Sequence, residues 1–426
     1  MQRSTVRSSI LKPKTIIEYR PNVLLLSLAM GLSIMYCIYV FDFNQGNIDG
    51  GRISRTLLKL FFLLTFSFSL YRFLDIRSFL LNIPVKLPLV FLLLYSFVGS
   101  LIFLEGSYRQ AINIIFFAPV LFINWNKPGG DELYRYIWRA ITLVVLVQFI
   151  TDPILKAYTG VRWENNALVG GMGNPNVYGL FLLVSATYIY LYSKSYLRIM
   201  SLPMALLAIL TGSLVCSLVG ILMAVIIILR GGYLAIGTLL VLGFASLVFS
   251  IEFLDVNLED LLGMAHAIGK IQGLLSLLDA GVQIGSVNGR LDYLKEGLNL
   301  IKDNPGSLLV GHPDSLQMFN GDGTWISFIV THGVPFTLLF QLSNLYLIFR
   351  SARCPKIEFV FSFFVLNMFQ VFFITNRILD YWPAGFLYLL VFSYCSTRGV
   401  YKVKAVVFRE HYYRTIGIRS SGSNVG

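Results

Sequence analysis

The feature that most constrains the fold is a recurrence of uninterrupted apolar runs, each about as long as a bilayer is thick, along most of the chain. A helix needs roughly 20 apolar residues to cross about 30 Å of hydrocarbon. With no water there to bond the backbone, helices satisfy their own amides and become the default spanning element. The runs are apolar at consecutive positions and do not alternate, which excludes a membrane β-barrel. Twelve spans are expected, at 21–41, 55–74, 86–104, 107–124, 136–152, 175–192, 199–213, 216–229, 233–251, 325–349, 357–376 and 383–397. The chain is 56% hydrophobic and 13% charged over 426 residues, against about 25% charged in a soluble domain. The expected fold is therefore an all-α integral membrane protein with about twelve transmembrane helices and one large exported loop containing short helices. No cleavable signal peptide is expected, because a polar, basic segment precedes the first run and no small-residue cleavage pattern follows it.

One long stretch, 251–324, breaks this pattern with ten acidic and four basic residues. It divides the chain into a membrane domain at 1–251 with nine spans, a large loop at 252–324, three last spans at 325–397 and a basic tail at 398–426. Orientation follows from charge. Residues 199–229 form either one helix of about 47 Å at 1.5 Å per residue or a hairpin turning at 212–217. With the hairpin, both basic tails fall on one side with the loops bearing Arg77, Lys127, Arg135, Lys194, Arg198, Arg230, Arg350, Arg353 and Lys356. Lys and Arg accumulate on the cytoplasmic side, so the hairpin is preferred, both termini are cytoplasmic and the loop is exported with a net charge of −6.

The overall charge of +12 then reflects topology and attraction to anionic membrane lipids, not nucleic acid. Cys37, Cys216, Cys354 and Cys395 lie in or beside spans, and His266, His312, His332 and His411 lack metal-ligand spacing. No disulfide framework, metal or cofactor is expected.

A few arginines lie on the side that otherwise avoids them: Arg109, Arg162, Arg290 and Arg377. Arginine is always charged and presents a planar fork of donors suited to phosphate oxygens. Each could instead reach a lipid headgroup or pair with a loop carboxylate. Arg290 opens a segment with Leu291, Leu294, Leu298 and Ile301 at helical spacing, which predicts an amphipathic helix lying on the membrane surface or packed on the spans. Asn174-Pro-Asn176 predicts a helix start, with Asn174 or Asn176 capping and Pro175 in the first turn. His332, beside Gly333-Val-Pro335, is expected to have a packing or hydrogen-bond role.

Four passages, in order, resemble the O-antigen polymerase and ligase superfamily of bacterial polytopic membrane glycosyltransferases. Gly173-Asn-Pro-Asn-Val-Tyr-Gly179 resembles its Asn-Pro-Asn turn. Thr211-Gly-Ser-Leu-Val-Cys-Ser217 resembles its Ser-rich turn, although Leu218 stands where the family often has Arg. Arg290 through Pro305-Gly306, running on to Val310-Gly311-His312, resembles its passage of Arg, amphipathic helix, Pro and Gly-x-Gly. Asp322-Gly-Thr-Trp-Ile-Ser-Phe-Ile-Val-Thr-His-Gly333-Val-Pro resembles its re-entry signature, which usually begins His-Asn in ligases and Asp in many polymerases. The resemblance covers roughly residues 160–350.

The resemblance implies a transfer of glycan from undecaprenyl pyrophosphate to a sugar hydroxyl at the periplasmic face of the bacterial inner membrane. Asp322 favours a polymerase of lipid-linked repeat units, making O-antigen, capsule or exopolysaccharide. A ligase of the same superfamily, or a flippase for lipid-linked oligosaccharides, is the alternative. A flippase would more naturally show two similar halves, and no repeat is visible. Pyrophosphate is a good leaving group, so the chemistry needs positive charge to stabilise it and a base for the acceptor hydroxyl. Arg290, Arg162 and Arg377 are the expected pyrophosphate ligands. Asp322 and His312 are the candidate bases: Asp322 holds the motif position, and histidine as a type titrates nearer neutrality. Expected partners are undecaprenyl-pyrophosphate-linked oligosaccharides, membrane lipids, and a chain-length regulator and flippase.

Overall fold

The computed structural model describes residues 60–80, 83, 85–91, 94, 119–159, 174–211, 213–231, 285–312, 325–375 and 382–398. Among these residues the protein is all-helical, and the one β contact is an isolated antiparallel bridge between Leu74 and Ile123. In chain order the helices are α1 (Leu60–Leu70), α2 (Ile76–Leu80), α3 (Gly130–Thr159), α4 (Pro175–Tyr192), α5 (Ser195–Arg198), α6 (Ser201–Leu207), α7 (Leu214–Gly231), α8 (Gly285–Asp303), α9 (Ser307–Val310), α10 (Trp325–His332), α11 (Val334–Ser351), α12 (Lys356–Thr375) and α13 (Trp382–Thr397). A 3-10 turn, Ala208–Thr211, continues α6.

Several expected segments coincide with helices. The 175–192 segment is α4, and 357–376 and 383–397 match α12 and α13 to within one residue at each end. The 136–152 segment lies inside the longer α3. The 199–229 region is broken, as the hairpin requires: α6 with its 3-10 turn ends at Thr211 and α7 starts at Leu214. The two arms pack antiparallel, and a Cβ on Gly220 of α7 would lie 2.6 Å from the Ala205 carbonyl of α6. Only a glycine admits that approach, as in the small-residue crossings of membrane helices. The segments at 21–41 and 233–251 lie outside the described residues, as do 95–118 and the loop at 252–284.

One expectation is corrected. The 325–349 segment is not one helix but two, α10 and α11, separated by Gly333. In a straight helix Phe328 and Phe340 would be about 18 Å apart along the axis. Here their ring centroids are 5.5 Å apart, and Phe328 also meets Phe336 at 6.0 Å. The chain bends sharply at Gly333, and α10 folds toward the first turns of α11.

The packing is built around α4 and α13. Nearly every residue of α4 from Pro175 to Ile189 is buried, as is every residue of α13 from Ala384 to Thr397. A helix apolar all round belongs at the centre of its structure. The helices around them are apolar on the outside as well. Leu64 and Phe68 on α1, Leu222 and Leu229 on α7, and Leu342 and Phe349 on α11 are each at least 60% exposed. Among the described residues one segment, Lys356–Phe373, is long and apolar enough to cross a membrane by length and composition; Leu60–Leu70, Ser201–Thr211, Val215–Arg230 and Ala384–Thr397 are shorter apolar helices.

One end of the bundle is tied by polar contacts between residues far apart in sequence. Asp131 at the start of α3 pairs with Arg398 after α13 and accepts from the Tyr394 hydroxyl at 2.7 Å. Arg135 Nε donates to Glu358 Oε1 of α12 at 2.6 Å, and its guanidinium lies over the Tyr192 ring at the end of α4. Tyr134 stacks on Tyr394 with ring centroids 3.8 Å apart. Nearby, Asn124 Nδ2 donates to Asp75 Oδ2 at 3.1 Å. Burial alone would raise Asp75, but this bond, the Arg77 amide and the neighbouring Lys127 and Arg77 charges hold its carboxyl below the ordinary range. Lys86, at the start of the third expected span, is fully buried and donates to the Leu121 carbonyl at 2.8 Å. These contacts gather the start of α3, the ends of α4 and α13 and the start of α12 at one end.

Candidate functional site

The opposite end of the bundle carries the passages singled out in the sequence. It begins with the cap of α4. Asn174 is in extended conformation, and its side chain accepts the Asn176 amide at 2.8 Å; Pro175 follows in the first turn, where no N–H is needed. Asn174 is thus the capping residue of the two considered. The turn between α6 and α7 packs onto this cap. Cys216 Sγ lies 3.5 Å from the Asn176 carbonyl. A Cβ on Gly179 would lie 2.8 Å from Cys216 Cβ and 3.0 Å from Thr211 Oγ1. The first two motifs therefore touch.

The third and fourth motifs touch as well. The amphipathic helix is α8; it begins at Gly285, five residues before Arg290, and packs on α10. Leu298, one of its apolar positions, is nevertheless 49% exposed. Asn304-Pro-Gly306 turns the chain into α9, which packs on α10 and α11. The strand of chain leaving α9 then crosses the break between α10 and α11. Gly311 has φ 81° and ψ 176°, and Gly333 has φ 83° and ψ 160°. That region of backbone space is essentially reserved for glycine. The His312 amide donates to the Val330 carbonyl at 2.6 Å. A Cβ on Gly311 would run into the Thr331 carbonyl and sit 2.7 Å from His332 Cα, and one on Gly333 would sit 2.5 Å from the Leu309 carbonyl. The two glycines form a clasp that seats the polar segment on the bent helix.

His312, next to the clasp, is half-buried. His332 is buried at 3% exposure, with ring centroids 4.6 Å from Phe328 and 5.3 Å from Phe336, and its Nδ1 lies 3.3 Å from the Phe328 carbonyl. It packs inside the elbow, in the role expected of it. Arg290 lies in α8, with its side chain outside the described ones. Asp322, Arg162 and Arg377 lie outside the described residues. The structure thus places His312 and the helix of Arg290 together against α10, whose first residue, Trp325, follows Asp322 by three positions. Among the described residues no group of three or more His, Cys, Asp or Glu side chains could hold a metal.

Sequence reasoning missed the clasp and Lys86. The clasp left a signal in Gly333-Val-Pro335: a glycine followed within two residues by proline marks a helix end and restart. The strong apolar character on both sides obscured it. Lys86 left none, because a lysine at the edge of an apolar run normally reaches outward.

Comparison with known proteins finds no matching protein-family model and no matching curated protein.

Proposed function

We propose that this protein is a multi-pass membrane glycosyltransferase that polymerises lipid-linked oligosaccharide repeat units on the outer side of a bacterial inner membrane. The reading includes about twelve spans with both termini cytoplasmic, as the hydropathy and charge of the sequence suggest; contact with a membrane is supported by central helices that are apolar all round and surrounding helices whose exposed faces carry Leu and Phe. A water-facing helix would present polar residues there, and large exposed apolar patches mark contact with something apolar.

The observation that carries the catalytic reading is the clasp. It joins the passage bearing Arg290 and His312 to the helix that follows Asp322, at the end of the bundle away from the ion pairs. In the reaction proposed, the acceptor hydroxyl oxygen attacks the anomeric carbon of the donor glycan. The bond from that carbon to the pyrophosphate oxygen breaks, and the hydroxyl proton passes to the Asp322 carboxylate. Arg290, with Arg162 and Arg377, stabilises the charge that grows on the departing pyrophosphate, the kind of preorganised electrostatics that usually contributes most to catalysis. His312, whose amide is bonded to the Val330 carbonyl of α10, serves as the alternative base.

The test is polymerisation of lipid-linked repeats by purified protein in proteoliposomes. Asp322→Asn keeps the shape and removes the basicity, so elongation is expected to stop while donor binding persists; His312→Ala is expected to be milder. Arg290→Lys is expected to fail nearly as badly as Arg290→Ala, because an ammonium lacks the bidentate fork. Near wild-type elongation by Asp322→Asn beside an inactive His312→Ala would assign the base to the histidine. Transfer to lipid A core instead of to a second repeat would make the protein a ligase, and no transfer at all would point to a flippase.

A further inference from the structure

The end of the bundle opposite the clasp has a charge distribution that net charge alone does not reveal. Four acidic residues lie there among the described ones: Asp75, Asp131, Glu132 and Glu358. Three are engaged inside the structure. Asp131 pairs with Arg398, Glu358 is buried against Arg135, and Asp75 accepts from Asn124 and from the Arg77 amide. Only Glu132 is left exposed.

Of the basic residues there, Arg135 and Arg398 are the partners in the ion pairs and Lys86 and Arg350 are buried, but more cations than carboxylates remain outside. Arg77, Lys194, Arg198, Arg230, Arg353 and Lys356 are all exposed. They come from four separate places in the chain: the segment after α1, the segment after α4, the last turn of α7 and the connection between α11 and α12. Apolar side chains stand beside them in the same turns: Ile76 at 67% exposed, Leu197 at 45%, Met200 at 50% and Ile357 at 46%. An exposed cation next to an exposed apolar side chain fits the boundary of a bilayer leaflet, with one at headgroup level and the other among the first methylenes.

We infer that this basic collar selects anionic phospholipid headgroups, phosphatidylglycerol or cardiolipin, from the leaflet around it. The inference rests on the membrane placement proposed above. Internal pairing withdraws the local carboxylates and leaves the collar's guanidinium and ammonium groups facing lipid phosphates, each attracted within a Debye length of the surface. At the opposite end, among the described residues, Lys295 on α8 has a carboxylate beside it, Asp292 at 3.5 Å.

The experiment compares spin-labelled phosphatidylglycerol with spin-labelled phosphatidylcholine at the lipid–protein boundary of the purified full chain in phosphatidylcholine vesicles. Wild type is expected to prefer the anionic lipid several-fold at low salt, with the preference fading toward parity at about 1 M salt, where the Debye length is about 3 Å. Arg77→Gln, Arg198→Gln, Arg230→Gln and Arg353→Gln combined are expected to abolish most of the preference while leaving both ion pairs intact. Lys295→Gln with Lys302→Gln is expected to leave it unchanged. A wild-type preference near parity, a preference insensitive to salt, or an equal loss in the Lys295/Lys302 variant would each overturn the collar. If the fourfold variant melts early, the salt titration of wild type still decides. Failure of the membrane placement itself would look different: the protein would be released from cell membranes by alkaline carbonate.

Discussion

Gly311 and Gly333 lie back to back: the Gly311 nitrogen is 3.2 Å from the point where a Cβ on Gly333 would begin. Each holds a backbone conformation that other residues avoid, and each faces the backbone beside the other: Leu309 and Gly311 fill the space a Gly333 side chain would need, and Thr331 and His332 the space a Gly311 side chain would need. Gly333→Ala and Gly311→Ala are each expected to destabilise the protein by at least the roughly 1–3 kcal/mol of such backbone strain. The double variant is expected to cost less than the sum, because both changes open the same contact. Thermal melting in detergent measures all three. A Gly333→Ala variant that melts with wild type would remove the clasp as a constraint.

The proposed orientation predicts a pattern of accessibility. Cysteines placed at the exposed Lys302 and Gly306 are expected to react with an impermeant reagent in intact spheroplasts. Cysteines at the exposed Lys194 and Arg353 are expected to react only after lysis. The native Cys216, Cys354 and Cys395 are buried and should contribute little background. The reverse labelling pattern would invert the orientation and move the candidate site to the cytoplasm.

How much of this was legible in the sequence depended on the range of the interaction. The cap of α4 was legible because Asn174, Pro175 and Asn176 are neighbours and act within one turn. The ends of α12 and α13 were legible because polarity changes abruptly there. The break at Gly333 was hidden because hydropathy measures preference for apolar surroundings and is blind to chain direction. The pairing of Asp131 with Arg398 spans 267 positions, and no local pattern reports it. Of the site, His312 and the helix of Arg290 are brought together against α10, and Asp322, Arg162 and Arg377 lie outside the described residues.

The Arg135–Glu358 pair is expected to respond asymmetrically to mutation. Glu358 has a side chain only 2% exposed, whereas that of Arg135 is 46% exposed. Arg135→Met leaves a carboxylate buried without its partner, which is costly. Glu358→Gln leaves a guanidinium that can turn to solvent, where such pairs are worth about 1 kcal/mol or less. Arg135→Met should therefore lower the melting temperature more, and Arg135→Met with Glu358→Leu should recover part of the loss. Equal effects from the two single changes would mean that Glu358 is hydrated in solution.

Asp75 gives an acid dependence with a definite sign. Its folded carboxyl is held below the ordinary value of 3.8. A depressed carboxyl stabilises the fold at pH values above the unfolded value and loses that contribution as pH falls through the folded one. Asp75→Ala is expected to melt lower than wild type at pH 6, with the gap closing as pH drops below about 4. A gap that stays constant down to pH 3 would show that the contacts of Asp75 are independent of its charge.

The first arm of the hairpin, Ser201–Thr211, runs for seven α-helical and four 3-10 residues. At 1.5 Å and 2.0 Å of rise per residue it extends about 18 Å, well short of the roughly 30 Å of hydrocarbon it would have to cross. In the placement proposed here, such a segment is too short to leave the translocon and settle in lipid alone. It has to be held until Leu214–Gly231 emerges and packs along it, so the two arms would enter the bilayer as one unit. The glycine at position 220 would then act at the moment of synthesis, when the second arm first recognises the first.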